Sequence, residues 1–214
     1  MKKASNQFNH IYEELSPEAI PWNSLELPAS ISSLIESGRI RPCRAIDIAC
    51  GLGNYSRILT KLGFDMTGVD FSEVAIAKAR QLAEKEELSI QFHIVDLCQE
   101  LELNMPPFDF AFDYELLHHI FPKHRELYAN NVAKLLKTGA YYLSVAFSEE
   151  DNCFDGKGKY RKTPLGTELY FSNTDEIEKL FSPLFTIIDL KIIDLIGKIG
   201  NHKAVYALMR KYKA

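Results

Sequence analysis

Residues 45–55 read A-I-D-I-A-C-G-L-G-N-Y. An apolar run reaches a carboxylate, turns on two glycines and passes into helical spacing at Tyr55, Ile58, Leu59 and Leu62. Gly51 and Gly53 carry no Cβ, so the backbone can turn tightly and let its N–H groups approach a ligand. The helix that follows aims its N-terminus at the same place. A strand-to-helix turn also takes glycine for purely structural reasons. The next apolar run adds a second constraint, because it ends in Asp70, 17 positions after Gly53. In an open α/β sheet, ligands bind outside the carboxyl ends of the strands, and an acid there can accept hydrogen bonds from both ribose hydroxyls. Glycine turn and acid together point to a nucleoside cofactor, without saying which.

The rest of the chain alternates in the same way. Strands are expected at 44–49, 65–70, 90–95, 108–114 and 141–147, with helices at 54–62, 72–87 and 124–136 between them. Ser72 is a candidate N-cap, followed by an apolar stripe of Ala75, Ile76, Ala79 and Leu82. This order implies parallel strands with right-handed crossovers. The tail differs. A helix at 174–181, capped by Asn173 or Thr174, precedes two strand-like runs at 185–194 and 204–210. Only Gly197, Gly200 and Asn201 punctuate them, so they should pair antiparallel. The expected fold is α/β: a Rossmann-like, seven-stranded, mostly parallel sheet with an antiparallel C-terminal strand and helices on both faces. Ahead of it lie two helices, 8–15 and 28–37, with an extended link at 20–23. Residues 1–40 are read as an N-terminal helical lid segment and 41–214 as the main domain, one structural domain overall.

At 214 residues, 46% hydrophobic and 25% charged, the chain can bury a sizeable core. A net charge of −4 lacks the basic footprint that nucleic-acid binding needs. The cysteines Cys43, Cys50, Cys98 and Cys153 form no C-x-x-C pair, and the histidines have no partner at ligand spacing, so no metal is expected. The thiols read as reduced and mostly buried. No leader and no run of membrane-spanning length is evident, and the expected location is cytoplasmic.

Four pieces, D-I-A-C-G-L-G-N (47–54), V-D-F-S (69–72), I-V-D-L (94–97) and F-D-F-A-F-D-Y-E-L-L-H-H-I (108–120), resemble the motifs of the class I S-adenosylmethionine-dependent methyltransferases. The likeness spans about residues 20 to 210. Pro21-Trp22-Asn23 together with F-D-Y-E-L-L-H-H-I is similar to the thiopurine and halide/thiol branch, which methylates small soft nucleophiles. The resemblance implies S-adenosylmethionine as cofactor and a small-molecule acceptor, with S-adenosylhomocysteine as product. It implies that Asp47, Ala49, Gly51 and Gly53 hold the amino acid end and Asp70 the ribose. Phe71, Asp96 and Leu97 would then meet the adenine, and Trp22 would cover the cofactor. Asp113 and Tyr114, at the end of the fourth strand, would lie beside the reactive methyl. Oxygen lone pairs and aromatic faces stabilise a sulfonium there.

Each role has a structural alternative. Asp47 could cap its turn, Phe71 and Trp22 could be core aromatics, and Asp96 a loop acid. His118 could act as a base, or both His118 and His119 could simply pack. Phe8, Tyr12 and Trp22 would form an aromatic lid that keeps water from the sulfonium, with Tyr12, Trp22, Tyr114 and His118 facing the acceptor. The polar segment 151–164 is read as a mobile loop whose Lys157, Lys159, Arg161 and Lys162 form a solvated charge run. Three other functions stay open. A nicotinamide-linked oxidoreductase fits Gly51, Gly53 and Asp70, but Ser56 stands where a third glycine is expected. A non-catalytic S-adenosylmethionine-binding regulator shares the same motifs. A nucleic-acid methyltransferase is disfavoured by the charge and by the missing N-P-P-Y-type tetrad at 113–116. Monomer or weak dimer is the expected state.

Overall fold

The structure is a computed structural model that describes residues 2–101, 105–154, 156, 158–198 and 200–212. Its chain forms two compact units, Met1–Asp96 and Leu97–Ala214. The seven long strands are those of a mostly parallel α/β sheet whose C-terminal strands run antiparallel.

In the first unit, α1 (Lys2–Glu14) and α2 (Ala29–Glu36) precede β1 (Arg44–Ile48), α3 (Asn54–Lys61), β2 (Asp65–Asp70), α4 (Glu73–Lys85) and β3 (Gln91–Ile94). The strands are parallel, with β2 between β1 and β3. The residues of β1 from Ala45 to Ile48 are all buried, as expected for a parallel strand covered on both faces. Asp47 pairs opposite Gly68 and Ile48 opposite Val69, so Asp70 stands one residue beyond the end of β1. The Ser72 Oγ accepts from the Ala75 N–H at 3.1 Å, the cap expected for α4, and donates to Asn9 Oδ1 at 2.6 Å. That second bond ties α1 to the start of α4. Beneath the glycine turn, Ile76, Ala79, Ala83 and Phe92 pack into one cluster. A Cβ on Gly53 would lie 2.7 Å from the Phe92 ring, and the backbone there has φ +70°. Packing and backbone conformation therefore both demand glycine at this position.

In the second unit, β4 (Phe108–Tyr114), α5 (Pro122–Leu135), β5 (Leu136–Phe147), α6 (Thr174–Phe181), β8 (Phe185–Gly197) and β9 (Gly200–Lys211) carry the main sheet, in the order β4-β5-β9-β8. β4 and β5 are parallel, while β9 is antiparallel to both β5 and β8. The C-terminal hairpin pairs as its turn punctuation implies, and it is longer than expected, running on to Gly197 opposite Gly200. β5 starts five residues before its expected bound, directly after α5, because buried Leu136 already pairs opposite Phe108. Asn173 forms a reciprocal capping box with Glu176 at the start of α6.

The segment after β5 departs from the sequence reading. A two-stranded ribbon forms, with β6 (Tyr160–Lys162) inside the expected polar loop and β7 (Glu168–Tyr170) just beyond it. Arg161 is buried rather than solvated. Its guanidinium donates to the carbonyls of Glu149, Asp151, Cys153 and Gly158 and lies 4.0 Å from the centre of the Phe171 ring. One side chain thus satisfies four carbonyls that a buried loop would otherwise leave unpaired. Lys159 bridges Glu149 and Glu176 at 3.0 and 2.8 Å, whereas Lys162 is exposed. Lys157 lies outside the described residues.

Candidate active site

In the first unit, the carboxyl end of β1 and that of β2 are joined by Asp70. Its Oδ2 accepts from the Gly51 N–H at 3.0 Å and its Oδ1 from the Ser72 N–H at 2.8 Å. A carboxylate has about four acceptor positions, so the two bonds leave room for two more. Burial pushes the Asp70 carboxyl up to about 6, and its backbone donors pull the other way. Asp47 is also buried and accepts from Ser56 Oγ at 2.7 Å. Burial lifts it to about 7, against the pull of Ser56 and with help from the Asp70 charge. A cation placed near these two acids would reverse that shift.

The turn between them is unusual. Ala49 (φ +60°), Gly51 (φ +52°) and Gly53 all have left-handed backbones. For alanine this conformation costs about 1–2 kcal/mol, strain of the kind that collects at ligand sites. A Cβ on Gly51 would lie 2.8 Å from the Tyr12 hydroxyl. That hydroxyl accepts from Trp22 Nε1 at 3.0 Å. The Phe8 ring lies 5.6 Å from Trp22 and 5.4 Å from Phe71, centre to centre. Of the expected lid residues, Trp22 therefore touches both Phe8 and Tyr12, Phe8 reaches Phe71, and Tyr12 reaches the glycine turn, although the turn lies some forty positions from α1. Asp96, the last residue of this unit, is half-buried.

In the second unit the predicted residues separate by role. The Asp113 carboxylate is fully buried and points into the core. It accepts from the hydroxyls of Tyr128 (2.7 Å), Tyr142 and Ser144 (3.0 Å). Burial raises it to about 6, with those hydroxyls opposing. A side-chain role at the reacting atoms does not fit this geometry, and only its backbone carbonyl is left for one. Tyr114 is half-buried, and burial holds its hydroxyl above the usual range. His118 is buried against Phe147, 4.2 Å away and nearly parallel, and its Nδ1 accepts from the Phe147 N–H at 3.2 Å. This bond uses the lone pair that a base needs. Burial also drives the ring's pKa well down, so His118 fits packing rather than proton transfer. Leu97 is buried, and its carbonyl accepts from Asn131 Nδ2 at 3.0 Å.

Two residues escaped the sequence reading. Arg125 is buried and donates to the carbonyls of Leu117 and Ile120 and to Ser172 Oγ, fixing the short 3-10 turn Leu117–His119. Glu115 directly follows β4 with φ +62°. Its N–H donates to the Val145 carbonyl at 2.8 Å, and its carboxyl has no hydrogen-bond or ion-pair partner among the described residues. Burial raises that carboxyl to about 7. The one signal for it in the sequence was an acid placed immediately after a strand end.

A family model described as a methyltransferase domain matches residues 45–139. A ubiquinone biosynthesis O-methyltransferase of Coxiella burnetii is 30% identical over 148 residues, covering 68% of this chain and 58% of that protein. A solved structure described as "Conversion of a Disulfide Bond into a Thioacetal Group during Echinomycin Biosynthesis" aligns over 98% of this chain and 92% of the other, with TM-score 0.81 and 22% identity. The 1,6-didemethyltoxoflavin-N1-methyltransferase of Burkholderia thailandensis, with bound S-adenosylhomocysteine, aligns over 99% of this chain and 85% of its own, with TM-score 0.69 and 19% identity. Residues 45–139 are thus similar to a methyltransferase domain, and the fold of the chain is that of the S-adenosylmethionine-dependent methyltransferases. The chain spans 58% of the length of the curated relative it matches. Its glycine turn, Asp70 and β4 all fall within the stretch matched by the family model. No helix among the described residues is long and apolar enough to cross a membrane.

Proposed function

We propose that this protein transfers a methyl group from S-adenosylmethionine to a sulfur, nitrogen or oxygen of a small molecule. The observation that carries the reading is the Asp70 carboxylate on the Gly51 N–H, with the Tyr12 hydroxyl filling the space where a Gly51 Cβ would stand. The donor set fits the cofactor. Asp70 keeps free acceptor positions for ribose hydroxyls, and Asp47 offers a buried carboxylate to an ammonium. Phe71 and Trp22 offer apolar rings.

When bound, the cofactor supplies a sulfonium methyl with its leaving group attached, ready for in-line displacement by a nucleophile. The protein's part is positioning, exclusion of water and, for a protonated acceptor, proton removal. In this reading Phe8, Tyr12 and Trp22 exclude water. Gly51, Gly53 and Ala49 bring backbone against the amino acid end, and Asp96 and Leu97 hold the adenine. Tyr114 and the Asp113 carbonyl lie along the acceptor's approach. Glu115 replaces His118 as the group that takes the acceptor's proton, since a carboxyl near 7 with no partner is matched to that task at neutral pH. The acceptor is a small molecule rather than nucleic acid, and the protein works in the cytoplasm as a monomer or weak dimer.

The test has two parts. Isothermal titration with S-adenosylhomocysteine should give saturable binding, and no binding to cofactor-free protein would end the proposal. Methyl transfer from labelled S-adenosylmethionine should then be followed over a panel of phenols, thiols and amines. Glu115→Gln should lower kcat/KM by about 100-fold or more on a productive acceptor that must lose a proton to react, with S-adenosylhomocysteine affinity unchanged.

A further inference from the structure

Beyond the end of β5, three side chains of different metal-binding types converge within the second unit. Asp151 and Cys153 come from the segment after β5, and His202 from the start of β9. One ligand atom from each lies within 4.8 Å of the others. His202 Nδ1 comes within 3.4 Å of Asp151 Oδ2. It nevertheless makes no hydrogen bond, and the nitrogen is itself buried. Buried polar atoms are almost always bonded, so an unpartnered one calls for a reason.

We propose that Asp151, Cys153 and His202 bind one divalent transition cation of the zinc type, leaving a fourth position open.

Four observations support the site. First, ligands at zinc distances in a tetrahedron stand about 3.3–3.8 Å apart. The His202–Asp151 approach already has that length without being a hydrogen bond, and Cys153 has about 1 Å to close. Second, the donors suit the ion, since thiolate, imidazole and carboxylate together favour zinc over hard cations such as magnesium. Third, the charges balance, because a carboxylate and a thiolate would offset a double positive charge.

The fourth is that the ligands are held. Asp151 Oδ1 accepts from the Cys153 N–H and Oδ2 from the Lys203 N–H, each at 2.6 Å. Outer bonds of this kind orient ligating carboxylates. Phe147 and Phe154 flank the His202 ring at 4.6 and 6.2 Å, centre to centre. The guanidinium of Arg161 is engaged with the carbonyls of Asp151 and Cys153 rather than with the carboxylate. The bound ion would clasp the segment after β5 to β9. Spacing along the chain gave no hint of the site, because the ligands stand two and then 49 positions apart.

The probe is Co2+ added to chelator-stripped full chain, followed by absorption. One equivalent should produce a thiolate-to-cobalt charge-transfer band in the near ultraviolet, and Zn2+ should displace it. Cys153→Ser should abolish the band. His202→Gln, which keeps the thiol, should weaken cobalt binding at least tenfold. Zn2+ should raise the melting temperature of the wild-type chain and not of His202→Gln. The proposal is overturned if the wild-type chain gives no band. It is equally overturned if the band persists unchanged in Cys153→Ser, which would assign it to Cys43, Cys50 or Cys98, or if His202→Gln binds cobalt as tightly as wild type. None of these readouts depends on methyl transfer, so the metal site and the enzymatic reading stand or fall separately.

Discussion

Asp70→Asn separates a cofactor contact from a structural clasp at a single position. The substitution keeps the shape but turns one acceptor oxygen into a donor. Both oxygens now accept backbone N–H groups, from Gly51 and Ser72, in a site that is 5% exposed. At least one N–H must lose its partner, at a cost of about 1–3 kcal/mol. For a chain of this size that lowers the melting temperature by about 2–12 °C. The ribose contact is weakened as well. Hydrogen bonds to a charged group contribute about 1.5–3 kcal/mol and neutral ones about 0.5–1.5, so exchange at two hydroxyls should weaken binding by about 2–3 kcal/mol. That is about thirty- to more than a hundredfold in the dissociation constant of S-adenosylhomocysteine. Titration calorimetry on wild type and variant measures it directly.

Two controls sharpen the experiment. Ser72→Ala removes both the cap on Ala75 and the bond to Asn9 on α1 and should cost about 1–2 kcal/mol while leaving the pH dependence of affinity in place. Burial raises the Asp70 carboxyl to about 6 and the Asp47 carboxyl to about 7, so wild-type affinity should fall as pH drops through that range, and Asp70→Asn should keep only the part of the fall that belongs to Asp47. If Asp70→Asn melts early yet binds S-adenosylhomocysteine as tightly as wild type, Asp70 is only a loop clasp and the ribose assignment is wrong.

Other predictions concern stability and the lid. Asp47, Asp70, Asp113 and Glu115 are all raised by burial, to about 7, 6, 6 and 7. Unfolded, they release their protons near pH 4, so the native state binds more protons from there to about pH 7, and stability falls as pH rises through that window. His93, His118 and His119 are pushed down and act in the opposite sense below about 6.5, but they are three against four. The ligand-free chain should therefore melt lower at pH 8 than at pH 5, and an equal or higher melting temperature at pH 8 would count against these shifts. Asp113→Ala strands the hydroxyls of Tyr128, Tyr142 and Ser144 in the core and should cost about 3–5 kcal/mol in denaturant melts; near-wild-type stability would refute the network. Trp22 is the only tryptophan, so its fluorescence reports the lid alone. S-adenosylhomocysteine should change its emission, and a spectrum indifferent to saturating ligand would remove Trp22 from the site.

What the chain declares by itself is local. Apolar runs and period-3.6 patterns located all seven sheet strands and the helices between them. Ser72 and Asn173 announced their caps, and glycine with no intervening helix announced the antiparallel tail. These features depend on neighbours within a few residues, which is the range that hydrophobic spacing and turn chemistry encode. The pairing of a glycine turn with Asp70 was legible for the same reason, since two consecutive strand ends in one βαβ unit must come together.

The roles of individual side chains were decided elsewhere. Asp113 reads as a strand-end acid, yet Tyr128 on α5 and Tyr142 and Ser144 on β5 draw its carboxylate into the core. Arg161 reads as one charge in a polar run, yet four carbonyls of its own unit close around it. Tyr12 meets Gly51, and His202 meets Asp151, across 39 and 51 positions respectively. Whether a polar group is wet or dry, paired or alone, depends on which distant segments pack over it. Only the assembled tertiary structure fixes that desolvation, and with it whether an acid serves the core or the chemistry.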